Sequence, residues 1–505
     1  MHTGMIGVRH HLPYSGSAPK HEGFTMDEPM LPADFLFGTA TAAYQVEGAA
    51  HVDGRGPSIW DTYCRTPGRV ARGETGDVAC DHYHRYGEDV GLLADLGVDL
   101  YRFSVAWPRI QPSGQGRPNP KGLAFYDRLV DSLLEAGIEP VPTLYHWDLP
   151  QALEDQGGWR VRDTAHRFAE YTRIVADRLG DRVGRWITLN EPFCTAFVGH
   201  AVGRHAPGTQ EGTPALAVAH HLLLAHGMAV GELRASGTGQ VGITLNPDQL
   251  LPASKSAADR AAVERARTLH NRVWFDPLFL GTYPDNENKV WGDVADGSYR
   301  REGDLRTIGQ PLDFLGVNFY RPIVLRDAPH HEADPARRTA VDIGIEQVPV
   351  EGVRHTTMGW PVVPETFTDL LVDLDRRYPD LPPIMITENG SAEADRADEN
   401  GRVRDTDRIA YLQEHLHALA KAIDAGVDVS GYFVWSLLDN FEWAFGYDRR
   451  FGLVRVDYES LTRHPKDSYH WYRDFLTTHR SRRSSERDPG STDDPLPPNQ
   501  GRGAR

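Results

Sequence analysis

The chain has 505 residues, of which 40% are hydrophobic and 25% charged, so disorder, collagen and coiled coil are excluded for its bulk. Its 71 acidic side chains outnumber 54 basic ones and give a net charge of −17, a surface that repels nucleic acid and anionic membrane and leaves small molecules as partners. The 3 cysteines, Cys64, Cys80 and Cys194, are too few and too odd for a disulfide framework and point to a reducing, cytoplasmic setting.

Residues 1–30 carry Arg9, His10, His11 and Pro13 where a secretory leader would carry an apolar block, and read as a disordered N-terminal extension. From there, short β-type runs alternate with amphipathic helical patterns. The predicted strands are Phe35 to Ala40, Leu100 to Ala106, Pro140 to Tyr145, Trp186 to Asn190, Gln240 to Leu245, Phe314 to Phe319, Ile384 to Thr387 and Gly431 to Trp435. The clearest helix between them repeats Ile409, Leu412, Leu416, Leu419 and Ile423 before Gly426, and another runs Leu123, Tyr126, Leu129 and Leu133 before Gly137. Stretches 246–313 and 321–362 read as loops or insertions. No run approaches the roughly 18 to 20 consecutive apolar residues of a membrane span. Residues 479–505 hold one large apolar side chain, Leu496, and read as a disordered tail. Eight strands with interposed helices over residues 31–478 predict a single α/β domain, a (β/α)8 TIM barrel with extended βα loops; a doubly wound sheet would show a Gly-rich loop where the first strand leads into AAYQVEG.

A barrel of this kind places its site at the carboxyl ends of the strands. The fourth strand runs into Asn190-Glu191-Pro192 and the seventh into Glu388-Asn389-Gly390, on opposite sides of the ring. A lone strand-end Glu is ordinarily a solvated side chain. Two at facing ends are what glycoside hydrolysis needs, one to protonate the leaving oxygen and one to attack or to activate water.

The segments FLFGTATAAYQVEG, YRFSVAWPRI, TLYHWDLP, TLNEP, DFLGVNFY, ITENG and WSLLDNFEWAFGYDRRFGLVRVDY together resemble glycoside hydrolase family 1, the β-glucosidase family, from about Phe35 to Tyr472. The resemblance implies a retaining exo-β-glycosidase that releases terminal glucose, with Glu191 as acid/base and Glu388 as nucleophile. It implies support of the nucleophile by Arg102, Tyr320 and Asn318, and sugar recognition by Gln45, His146, Asn190, Trp435, Glu442 and Trp443, with Trp435 as stacking platform. Asn190 and Glu191 would then serve one site although they point to opposite faces of an ideal strand, so a bulge is expected there. No metal and no cofactor are expected. Glu442 disfavours a 6-phosphorylated sugar through charge repulsion. Trp147 and Trp360 read as wall or core, and Phe193 stands where many members carry Trp. His205 and Cys194 read as structural. The pair His82 and His84 leads into a helical pattern, not a strand, and lacks a third ligand, against a metal-dependent hydrolase. A transglycosidase using the same intermediate and a non-catalytic sugar-binding barrel remain as alternatives.

Overall fold

Eight short apolar runs become the parallel strands β1 (Leu36–Ala40), β2 (Leu100–Ser104), β3 (Glu139–Tyr145), β4 (Arg185–Asn190), β5 (Gln240–Leu245), β6 (Phe314–Asn318), β7 (Ile384–Asn389) and β8 (Val429–Trp435). They pair in sequence order and β8 closes on β1, giving the expected TIM barrel. The strands are buried nearly throughout, because helices cover their outer faces and side chains fill the interior. The coordinates are a computed structural model that describes residues 29–328 and 338–487.

The helices follow their apolar spacing. In Pro120–Glu135, Phe125, Tyr126, Leu129, Val130 and Leu133 are buried, and Gly137, at φ 74°, turns the chain out of the helix. Thr406–Asp424 buries Tyr411, Leu412, Leu416 and Leu419, and Gly426, at φ 102°, ends it. An L side chain resists that left-handed conformation, so glycine is the natural stop.

The two long stretches meet each other. Gln249–Pro252 pairs parallel with Pro322–Asp327, which pairs antiparallel with Ile345–Val348. Leu250, Val263, Ala266, Ile323 and Leu325 form a small core beneath.

Helix Thr213–Ala235 is long and apolar enough to cross a membrane by length and composition, although His220, His221 and His226 interrupt its apolar run. Yet 83% of its most apolar window is buried within the protein, as befits a core helix. The last helix, Asp467–Arg487, continues past the expected start of the tail; the His479 ring packs 5.1 Å from Phe37, which anchors the helical turn. The expected extension, up to residue 28, and the rest of the tail, residues 488–505, lie outside the described residues.

Candidate active site

The strand ends gather the predicted residues into one buried network. Glu388, near the end of β7, accepts from Arg102 Nη1 on β2 at 2.7 Å and from the Tyr320 hydroxyl at 2.6 Å, so both its oxygens are held. Glu191, just past β4, accepts from Asn318 Nδ2 at 2.7 Å and from Cys194 Sγ at 3.1 Å. Asn190 Oδ1 accepts from both Arg102 Nη2 and Asn318 Nδ2, and so joins the two halves.

Local backbone geometry puts these groups on one face. The β4–β5 register shifts between Ile187 and Asn190, and Glu191 has φ 42°. The expected bulge is therefore present, and it lets consecutive side chains serve the same site. Trp147 (φ 78°) and Trp443 (φ 49°) share this left-handed region. Non-glycine residues held there cost on the order of 1–3 kcal/mol each, and three of them cluster at this mouth. Gly390 follows the β7 carboxylate because a Cβ there would lie 1.9 Å from the Trp435 carbonyl oxygen.

The electrostatics of the two carboxyls differ. Burial first, and then the charge of Glu388, raises the Glu191 pKa; the Asn318 and Cys194 donors oppose this only in part. Burial also raises Glu388, but the adjacent Arg102 cation and the Tyr320 and Asn318 donors pull it back. These surroundings favour the proton on Glu191 and the negative charge on Glu388.

Around them stands an aromatic wall. His146 stacks 6.0 Å from Trp435 and 5.9 Å from Trp443, while Trp147 and Trp60 each pack 4.5 Å from Trp443. His205 fits between Trp60 and Trp147, as a structural ring. Because Asn190 Oδ1 faces two donors, its Nδ2 donates to His146 Nε2 at 3.2 Å, which leaves Nδ1 as the protonated nitrogen of a neutral ring. Burial lowers the His146 pKa and keeps the ring neutral. Gln45 Nε2 donates to Asn440 Oδ1 and the Phe441 carbonyl, each at 2.9 Å, which holds Glu442 and Trp443 beside it in sequence. Their loop is tied down further by Lys466, which bonds Asp439 at 2.7 Å and Asp395. His146 Nδ1, Gln45 Oε1 and Glu442 Oε2 are buried polar atoms with no hydrogen-bond partner among the described residues. Buried, unsatisfied donors and acceptors of this kind suit hydroxyl groups.

Several contributors were not singled out from sequence. Thr143 and the Thr387 carbonyl accept from Arg102 at 3.1 and 3.0 Å. Thr387 Oγ1 donates to Asn318 Oδ1 at 2.8 Å, fixing the amide with Nδ2 toward Glu191. Trp147, read as wall or core, donates Nε1–H to the Asn190 carbonyl at 2.9 Å. Cys194 touches Glu191 rather than serving as structure alone; its spacing of three residues at a helical start was the available signal. His82 and His84, in the first turn of helix His82–Leu96, instead pair with Asp89 and Asp81.

Residues 27–481 match the family model for glycosyl hydrolase family 1. Over 89% of this chain and 99% of the relative, the sequence is 46% identical to β-glucosidase A of Acetivibrio thermocellus. It is 47% identical to a bifunctional β-D-glucosidase/β-D-fucosidase of Bifidobacterium breve over 90% of this chain and 99% of that protein. The solved family 1 β-glucosidase of Thermotoga maritima superposes with a TM-score of 0.84 at 44% identity, over 90% of this chain and 99% of that one. With the family model spanning the barrel and relatives at this identity aligned nearly end to end, the chain belongs to glycosyl hydrolase family 1.

Proposed function

We propose that this protein is a retaining exo-β-glucosidase in which Glu191 is the acid/base and Glu388 the nucleophile. The observation that carries the reading is the asymmetry of the two carboxyls: Glu388 lies against a guanidinium, Glu191 against an amide and a thiol. A nucleophile must be ionised and a general acid protonated, and these surroundings favour each state. In the first step the Glu191 proton passes to the glycosidic oxygen while Glu388 bonds to the anomeric carbon and the alcohol leaves. Water then attacks that carbon, loses a proton to Glu191, and releases the sugar with its configuration retained. Neutralising Glu388 as an ester removes its like charge, so Glu191 becomes more acidic just when a base is required.

Unphosphorylated glucose suits the deep end. His146, Gln45 and Glu442 offer complementary hydrogen-bond partners to hydroxyls, and Trp435 offers an indole to the apolar face of a pyranose. Burial, then the charges of Glu388 and Glu191, push Glu442 up to about 8, so at neutral pH its carboxyl both donates and accepts. A phosphate dianion would bring two further negative charges into a buried site that already holds ionised Glu388. The three unpaired cysteines suit a reducing compartment. Transfer of the glycosyl group to an alcohol would use the same ester.

Colorimetric assay with nitrophenyl β-glucoside, β-fucoside, β-galactoside and β-mannoside tests the reading: β-glucoside turnover is expected, and activity confined to another glycoside would overturn it. Glu442→Ala should lower kcat/KM for the glucoside on the order of 100-fold, because remote hydroxyl contacts are used in the transition state. Faster wild-type turnover of the 6-phosphoglucoside would refute the substrate class. Tyr320→Phe removes a donor that stabilises ionised Glu388. The Glu388 pKa then rises, and the acid limb of the kcat/KM profile should move to higher pH by about one unit. An unmoved limb would show that this bond does not hold the charge.

A further inference from the structure

The ring order divides the mouth into two sides. Gln45 follows β1, His146 follows β3, and Glu442 and Trp443 follow β8, on the glucose side. Phe193 follows β4, Asp248 follows β5, and Arg321 and Trp360 follow β6. Glu191, as the acid, protonates the oxygen of the departing group, so the second side receives that group. This placement rests on the assignment of Glu191 proposed above.

On that side Arg321 is a half-buried cation that forms no ion pair among the described residues. Its neighbour in sequence, Tyr320, bonds Glu388, and its own guanidinium lies 5.6 Å from the Trp360 ring centre. Trp360 in turn packs 5.2 Å from the Tyr320 ring. Arg321 Nη1 is buried and has no hydrogen-bond partner, and no ion pair to Arg321 occurs among the described residues. The nearby carboxylate, Asp248, is engaged elsewhere: His270 Nδ1 lies 2.6 Å from it, and the His270 ring stacks 4.8 Å from Phe193. Burial lowers the Arg321 pKa, and the charge of Arg204 adds to the effect, while Asp248 opposes it. A neutral hydroxyl could satisfy one N–H there. A carboxylate would satisfy the N–H fork and the charge together, and an aromatic leaving group carrying it would lie against the Trp360 indole.

We propose that Arg321 and Trp360 form an anion-selecting leaving-group subsite, so that the enzyme favours aryl β-glucosides whose aglycone carries a carboxylate. The overall negative charge of the protein works against an anionic substrate at long range, which makes the preference attributable to this local cation.

The test compares 3- and 4-carboxyphenyl β-glucosides with their carbamoylphenyl counterparts, which match in shape but are neutral. Comparing the charged-to-neutral ratio of kcat/KM between wild type and variant cancels the difference in phenol acidity. In Arg321→Gln the ratio should fall by about tenfold at one ring position or both, and Arg321→Lys, which keeps the charge, should retain part of it. A ratio unchanged within about twofold at both positions would overturn the proposal, whatever happens to overall rate. On the unmodified enzyme, 4-hydroxybenzoate should inhibit at roughly tenfold lower concentration than 4-hydroxybenzamide, and equal inhibition would also count against it. 4-Nitrophenyl β-glucoside separates the two readings. If wild type hydrolyses it while the ratio is unchanged, only the subsite fails; if wild type does not, the β-glucosidase reading itself fails.

Discussion

A Glu388→Gly variant is expected to lose hydrolysis of aryl glucosides by a factor on the order of 10⁴ or more while remaining folded. Removing one member of a buried ion pair ordinarily destabilises by about 3–5 kcal/mol, because the other charge is left uncompensated. Here Arg102 keeps Thr143 Oγ1, the Thr387 carbonyl and Asn190 Oδ1 as acceptors, so its donors stay satisfied and the penalty is reduced. Added azide fits the space of the lost carboxylate and restores a negative charge beside Arg102. It attacks from the same face, so the product from a 2,4-dinitrophenyl β-glucoside should be the α-glucosyl azide, identified by NMR. Near-wild-type turnover in the folded, uncontaminated variant, or a β-azide, would show that Glu388 is not the nucleophile.

Glu191→Ala should separate substrates by their leaving groups. The proton supplied by Glu191 matters little when the departing phenolate is already stable and matters greatly when an alkoxide must leave. Formation of the glycosyl-enzyme from dinitrophenyl glucoside should therefore be nearly spared, while cellobiose cleavage falls by roughly 10²–10⁴-fold. Water still needs a base in the second step, so the ester accumulates and a burst of dinitrophenol precedes slow turnover. The pH dependence follows from the raised Glu191 pKa: the active free enzyme is the protonated form, so wild-type kcat/KM falls as pH rises through that value. The variant should lack this alkaline limb. Equal losses on both substrates, no burst and an unchanged limb would place the proton donor elsewhere.

Much of this was legible in the chain itself. A strand buried on both faces reads as a continuous apolar run, so all eight barrel strands stood out, and TLNEP and ITENG lay at the ends of the fourth and seventh. Boundaries shifted by a residue or two, and β7 continued through Glu388 to Asn389 because Glu388 pairs with Asn318 across the sheet. The helix stops at Gly137 and Gly426 were equally local, since a left-handed residue at the end of a helix is a property of the glycine alone.

The tertiary structure decided what depends on neighbours distant in sequence. Arg102 and Glu388 are 286 residues apart, and only barrel closure brings the cation to one carboxylate rather than the other, which sets the two carboxyls apart in acidity. The Cys194 contact and the Trp147 bond to Asn190 are likewise matters of packing, as is the placement of Arg321 beside Trp360. Helix Thr213–Ala235 and the helical residues after Thr478 teach the same point from composition: an apolar helix is a core element when the protein surrounds it, and a polar segment is ordered when one ring, His479, docks on Phe37. Periodicity reports which face a residue presents, whereas acidity, orientation and order depend on what that face meets.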